Sequence, residues 1–213
     1  MYRLSFYALM LASALISCGG GETNSEKAQL EDSGVISINP VSDTVSTSDS
    51  GLRSLSLGKG WPQVQIKETH PAGMSLSNLD ISFSDTSISP LSLADVDPLD
   101  QILQGDLDQN GDPEFYLVLR SAGSASSATI KGYTLSKQKK LQPLSIPEIG
   151  ENDIKKGGSF EGYMGHDSVW IESQNLRRQF PRYAAGDNNA QPSAGTALVV
   201  YSLKNQTLSI RKN

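Results

Sequence analysis

Asp106-Leu-Asp-Gln-Asn-Gly-Asp-Pro-Glu114 places side-chain oxygens at alternate positions, on Asp106, Asp108, Asn110, Asp112 and Glu114, with a glycine in sixth place. This is the layout by which a short loop wraps a hard cation such as Ca²⁺, an ion that takes oxygen ligands. An EF-hand also needs a glutamate in twelfth place; that position is Leu117, inside a predicted strand, so a full EF-hand is excluded. Two readings stay open. The favoured one is a tight turn entering the Glu114 strand, with Asn110-Gly111 supplying positive φ and the aspartates satisfying backbone donors; it needs no metal and no cofactor. The other is a short calcium loop in which Glu114 is the ninth-position ligand.

The remaining reactive residues are sparse. Two histidines, His70 and His166, cannot make a three-histidine zinc site, and no paired-cysteine spacing accompanies them. No Gly-x-Ser-x-Gly elbow is present. Asp95, Asp97, Asp100, Asp106 and Asp108 are close in sequence, but proximity along the chain does not set the separation that a glycosidase pair needs, and a solvated acidic loop is the commoner outcome. The chain is therefore expected not to be an enzyme. His166 is read as satisfying loop backbone groups. Arg177 and Arg178, adjacent in a predicted strand, must point to opposite faces, with one of them paired to a carboxylate.

A different kind of chemistry is offered by Ser121-Ala-Gly-Ser-Ala-Ser-Ser-Ala128, an unbroken run of tiny residues between two apolar stretches. A tip built from Ser121, Gly123, Ser124, Ser126 and Ser127 is thin enough to enter a cleft, exposes several hydroxyls and loses little side-chain entropy when ordered. The alternative is an ordinary hairpin connection.

Strands must carry both loops. Val64–Thr69, Leu79–Phe83, Glu114–Arg120, Thr129–Leu135, Ser168–Glu172, Leu176–Phe180, Thr196–Leu203 and Thr207–Arg211 are short, rich in strand formers and bounded by Gly, Pro, Asn, Asp or Ser. Phe115-Tyr-Leu-Val-Leu119 is apolar throughout, as a strand buried on both faces would be, and Thr207–Arg211 alternates like a half-exposed one. No stretch keeps a helical period. The fold expected is all-β, an antiparallel sandwich or barrel of about eight strands, preceded by a disordered tether. The N-terminal boundary of this domain is placed at Trp61, giving a β domain over 61–213.

Ahead of it, residues 18–60 are rich in Ser, Thr, Gly, Asp and Asn and read as a flexible tether, although Gly34-Val-Ile-Ser-Ile38 could add an edge strand. Residues 1–17 read as a secretory signal: Arg3, then an apolar run from Leu4 to Ile16 that is shorter than a membrane span requires. Leu15-Ile-Ser-Cys18 resembles the lipobox of bacterial lipoproteins, in which the chain is cut before the cysteine and its thiol carries the lipid. Cys18 is the sole cysteine, so no internal disulfide exists. Several acyl chains on Cys18 would anchor the protein to a membrane. Gly19, not aspartate, follows Cys18, and the retention rule for Gram-negative lipoproteins then implies the outer membrane, facing the periplasm. A net charge of −5 without any basic, aromatic-interleaved run excludes the electrostatic footprint of a nucleic-acid binder.

Four blocks, in order, carry a family likeness. Gly105-Asp-Leu-Asp-Gln-Asn-Gly-Asp-Pro-Glu-Phe-Tyr116, Arg120-Ser-Ala-Gly-Ser124, Gly162-Tyr-Met-Gly-His-Asp167 and Leu176-Arg-Arg-Gln-Phe-Pro-Arg-Tyr183 with Gly186-Asp187 resemble the periplasmic inhibitors of invertebrate-type lysozyme and their lipoprotein relatives. The likeness runs from about residue 100 to residue 203. It implies a β-sandwich without catalysis that blocks a muramidase by inserting a loop into its substrate cleft, and it also implies a homodimer. In that family the loop ends on a tyrosine that works with its second serine near the enzyme's carboxylates. That serine falls on Ser124, whereas the tyrosine falls on Ser127 and an intervening glycine on Ala125, so the slender loop is kept and its aromatic tooth is lost. The expected partner is a lysozyme or another peptidoglycan hydrolase. The alternative is a non-inhibitory envelope lipoprotein, structural or interacting, stabilised by calcium.

Overall fold

The computed structural model describes the backbone of residues 45–47 and residues 51–211 in full, all within one compact unit spanning 38–213. The signal at 1–17, the lipid-bearing Cys18, the strand considered at 34–38 and most of the stretch read as tether lie outside the described residues.

The fold is all-β and antiparallel. One meander contains β1 (Val45–Thr47), β2 (Leu52–Ser56), β3 (Gln63–Thr69), β4 (Ser77–Phe83) and β5 (Leu91–Val96), in chain order. A second contains β6 (Leu99–Gly105), β7 (Glu114–Arg120), β8 (Ala128–Leu135) and β9 (Leu141–Pro143). A third contains β10 (Ser168–Glu172), β11 (Asn175–Pro181), β12 (Thr196–Lys204) and β13 (Thr207–Ile210). A single helical turn, α1 (Glu151–Ile154), joins the second sheet to the third.

β7 explains the layering. Its alternate residues Phe115, Leu117 and Leu119 enter a core shared with Leu55, Val64, Ile66, Leu79 and Ile81 of the first sheet. Tyr116 and Val118 enter the opposite core with Leu176, Phe180, Val199, Tyr201 and Leu208 of the third sheet. The middle sheet is thus covered on both faces, which is why the Phe115–Leu119 run has no polar interruption. Gly132 on β8 lets the Tyr116 ring lie flat, since an added Cβ would come within 2.9 Å of that ring and 3.0 Å of Leu144.

The second and third sheets also meet at their edges. Ser145, just after β9, bridges to Thr207 of β13, and Gln101 of β6 donates to the Val169 carbonyl of β10 at 2.7 Å. The expected all-β, antiparallel class is found, but the described residues form thirteen strands in three sheets and not about eight; the eight segments expected from sequence are β3, β4, β7, β8 and β10 to β13, and they are spread over all three sheets.

The domain begins earlier than Trp61. β2 pairs with β3 from Leu52↔Lys67 to Ser56↔Gln63, and Leu55 and Leu57 are buried. Arg53 extends across to β6, donating to the Leu99 carbonyl at 2.6 Å and the Asp100 carbonyl at 2.9 Å. In the sequence, serines mask the alternation of Leu-Arg-Ser-Leu-Ser and give residues 51–57 the look of tether; pairing along β3 supplies the backbone partners that fix Leu52–Ser56 as a strand.

Candidate functional site

β7 ends in Arg120 and β8 starts at Ala128, so the loop between them has a short, hydrogen-bonded neck. Ser121 N–H donates to the Ser127 carbonyl at 3.0 Å, Ser127 N–H donates to Ser121 Oγ at 3.0 Å, and the two hydroxyls lie 3.2 Å apart. Ser127 is thus turned into the neck. Ser126 adopts φ 44°, a left-handed conformation that its N–H bond to the Gly123 carbonyl at 2.9 Å helps to hold.

The base of the loop is clamped by charge. Arg120 donates from Nη1 to the Ser126 carbonyl at 2.8 Å and from Nη2 to the Asp167 carbonyl at 3.0 Å, while Asp100 Oδ2 lies 2.8 Å from Nη2. Behind it, the fully buried Asp167 carboxylate accepts the Ala128 N–H at 3.0 Å and pairs with Arg178 Nε. Arg178 also donates to the Ala128 carbonyl and to Tyr163 Oη, each at 2.7 Å, with its guanidinium over the Phe160 and Tyr163 rings. Burial is the strongest single influence and opposes the charge on Arg178, but Asp167, Tyr163 and Tyr201 together outweigh it, so the guanidinium titrates above its ordinary value.

One flank of the loop is sealed by two neighbouring loops. His166 N–H donates to the Ala125 carbonyl at 2.8 Å, and Asn189 Nδ2 donates to the Ser124 carbonyl at 2.6 Å. Asn189 is itself placed by Tyr183 Oη, which donates to its carbonyl at 3.0 Å, and by Asp187, whose carboxylate accepts the Ala184 and Ser193 amides at 2.7 and 2.8 Å. Those two bonds and the Ser193 hydroxyl hold the Asp187 carboxyl below its usual range. His166 contributes its backbone as expected, and its Nε2 also lies 3.3 Å from Asn189 Oδ1.

The run of tiny residues now has a physical reason. Gly165 adopts φ +98°, and a Cβ there would sit 1.9 Å from the Ala125 carbonyl oxygen, so the two backbones touch directly. Ala122, Gly123 and Ser124 remain exposed, whereas Ser121, Ala125, Ser126 and Ser127 are half-buried. The outward part is therefore a three-residue tip on a fastened base. Sequence reasoning missed Met164, which precedes Gly165 and is 44% exposed; an isolated methionine between Tyr163 and Gly165 carries no periodic signal. Gly165→Ala is expected to destabilise the fold by about 2 kcal/mol or more and to speed amide exchange at Ala125 and His166, checked by hydrogen exchange.

At the other end of β7, the acidic loop forms the expected turn. Asp106 accepts the Asn110 and Gly111 amides at 3.0 and 2.9 Å, and Asn110 Oδ1 accepts the Asp112 N–H at 2.7 Å. Positive φ falls on Gln109 (59°) and Gly111 (82°), so the left-handed residue before the glycine is Gln109 and not Asn110. Asp106, Asp108 and Glu114 converge, and Asn110 and Asp112 line an adjoining small cleft. Leu117 lies inside β7.

Both adjacent arginines on β11 find carboxylates, Arg177 to Glu172 at 2.7 Å and Arg178 to Asp167. A third cluster was not legible: Ser77 Oγ lies 2.9 Å from His70 Nδ1, and His70 Nε2 lies 3.8 Å from Glu68. The pattern of a hydrolytic triad is not met, because Ser77 is fully buried and Glu68 accepts the Leu99 N–H at 2.9 Å. These groups fasten β3 and β4 to the start of β6.

Compared with family models, curated proteins and solved structures, the chain matched none.

Proposed function

We propose that this chain is a lipid-anchored periplasmic binding protein that engages a muramidase or related peptidoglycan hydrolase through the Ser121–Ser127 loop and performs no chemistry itself. The observation that carries the reading is the tip: Ala122, Gly123 and Ser124 are exposed while the loop beneath them is tied to Arg120, His166 and Asn189. A wedge ordered before binding loses less entropy on entering a cleft than a free hairpin would. The four sequence blocks resembling lysozyme inhibitors support the class of target, and the Leu15–Cys18 segment supports export and anchoring.

The missing aromatic tooth shifts the chemistry of contact. Ser127 hydrogen-bonds within the neck, so exposed hydroxyls and backbone at the tip, with Met164 alongside, form the contact surface. Methionine adapts its shape and supplies apolar area at low strain. The interface would be weaker than one anchored by tyrosine, whose truncation costs about 2 kcal/mol or more at a hot spot.

The test uses the full chain purified in detergent against invertebrate-type, chicken-type and goose-type lysozymes. At least one should be slowed by micromolar protein. Ser124→Arg, at an exposed position, should weaken inhibition about tenfold or more without changing the melting temperature, and Ser127→Tyr should strengthen it. If neither the parent nor Ser127→Tyr slows any muramidase, the reading fails.

A further inference from the structure

We propose that Asp106, Asp108 and Glu114 form a binding site for a divalent cation of the calcium type, with Asn110 and Asp112 lining the same cleft. One carboxylate oxygen from each of the three converging residues lies within 4.8 Å of the others. A calcium ion bonds oxygen at about 2.4 Å, so a single ion between them spans that separation. Magnesium, at about 2.0 to 2.1 Å and with a demand for octahedral geometry, fits a spread-out and partly backbone-braced set less well.

An acidic cluster alone would prove little, because exposed carboxylates gather in many turns. The second observation is Glu114. It is fully buried; Oε2 accepts the Leu107 N–H at 2.7 Å, but Oε1 has no hydrogen-bond partner among the described residues. Leaving a buried carboxylate oxygen without a partner is costly, and a cation held between converging carboxylates would answer it. The orphan belongs to a carboxylate that converges with those of Asp106 and Asp108. The adjoining cleft, of about 40 Å³, is lined by Asp108, Asn110, Asp112, Glu114, Gln142 and Gln206. That volume leaves room for water to complete the coordination shell.

The turn and the metal site are compatible readings of the same residues. Amides of Asn110 and Gly111 hold Asp106, and those of Asn110 hold Asp108, but each carboxylate oxygen keeps a second lone pair for an ion. The cluster sits at the start of β7 and the serine loop at its end, about 20 Å away. The site is therefore separate from the tip, and a muramidase result of either sign leaves it standing.

The experiment is a calorimetric titration of the full chain, stripped with a chelator, with CaCl₂ and in parallel with MgCl₂, together with thermal melts. Saturation at one calcium per chain is expected, with a dissociation constant of about 10⁻⁴ M and a melting temperature raised by about 5 °C at about 5 mM calcium. Magnesium should bind at least about tenfold more weakly. Glu114→Gln and Asp108→Asn should each weaken calcium about tenfold or more; Asp108, being partly exposed, keeps the test open should the Glu114 variant fold poorly. No saturable heat and no melting shift at about 10 mM calcium, or an affinity unchanged in both variants, overturns the proposal.

Discussion

Asp167→Ala is expected to destabilise the protein by about 4 kcal/mol, the largest effect of any single substitution considered. Its carboxylate is wholly buried and its partner Arg178 is 6% exposed. Removing it strands a guanidinium against Phe160, Tyr163 and Phe180, where Phe160 stacks on Phe180 at 5.4 Å and Tyr163 meets both edge-on at 5.7 and 5.0 Å. Breaking one side of a buried ion pair costs about 3 to 5 kcal/mol, because the other charge has no water to turn to. The Ala128 amide also loses its acceptor, which adds about 1 kcal/mol or more. For a domain of this size the melting temperature should fall by about 10 °C. The double variant Asp167→Leu with Arg178→Met should recover much of that loss, since apolar replacement of a whole buried pair is close to neutral. A melt of Asp167→Ala within about 2 °C of the parent would show that the pair does not hold the loop base. The same variant should weaken the proposed inhibition, because Asp167 accepts the Ala128 amide at the foot of the serine loop and pairs with Arg178, which itself donates to the Ala128 carbonyl.

The metal-free chain should lose stability as pH rises from about 4.5 to about 8, opposite to the trend most carboxylates impose. Burial pushes the Glu114 carboxyl up from 4.5 to about 8; the Leu107 N–H opposes this, and the negative charges of Asp108, Asp106 and Asp112 add to it. Between those values the folded chain keeps a proton that the unfolded chain has released, so raising pH favours unfolding. The contribution is complete below about 4.5 and gone above about 8. Its size is on the order of 5 kcal/mol, given about 1.4 kcal/mol for each pH unit between the two values. Tyr116, pushed well above the usual tyrosine range by burial and then by Glu114 and Asp108, stays protonated throughout this window. Glu114→Gln should flatten the profile, and comparison with it isolates Glu114 from the two histidines. Calcium at about 5 mM should also remove the decline, since the ion takes the proton's place. Urea melts at pH 5, 6.5 and 8 in chelator would test this; a flat or rising trend in the parent would contradict it.

Strand identity was readable where side-chain pattern and strand formers coincided. All of the segments anticipated from Val64 to Arg211 are strands, from β3 and β4 through β7, β8 and β10 to β13. Those not anticipated lacked one of the signals. β5 is Leu-Ser-Leu-Ala-Asp-Val and mostly exposed, β9 has three residues, and β6 breaks its alternation at a register shift between Leu99 and Gln101. β2 was hidden in a serine-rich stretch. Each of these is a strand because a neighbour supplies its backbone partners, which no local pattern expresses.

Sequence alone determined that the fold is all-β, that Phe115–Leu119 is buried on both faces, that oxygens alternate from Asp106 to Glu114, and that the loop after Arg120 must be thin. These follow from the two-residue period of strands and from the sizes of the residues themselves. Only the tertiary structure decided what those features face. Asp167 meets Ala128 from 39 residues away and Arg178 meets it from 50, while Gly165 closes on Ala125 and Asn189 reaches Ser124 from 65. Burial of Glu114 with one oxygen unanswered likewise depends on the third sheet and the β9 segment closing over the start of β7. Local pattern fixes which way a side chain points; contacts between distant segments fix whether water, another side chain or an ion waits there.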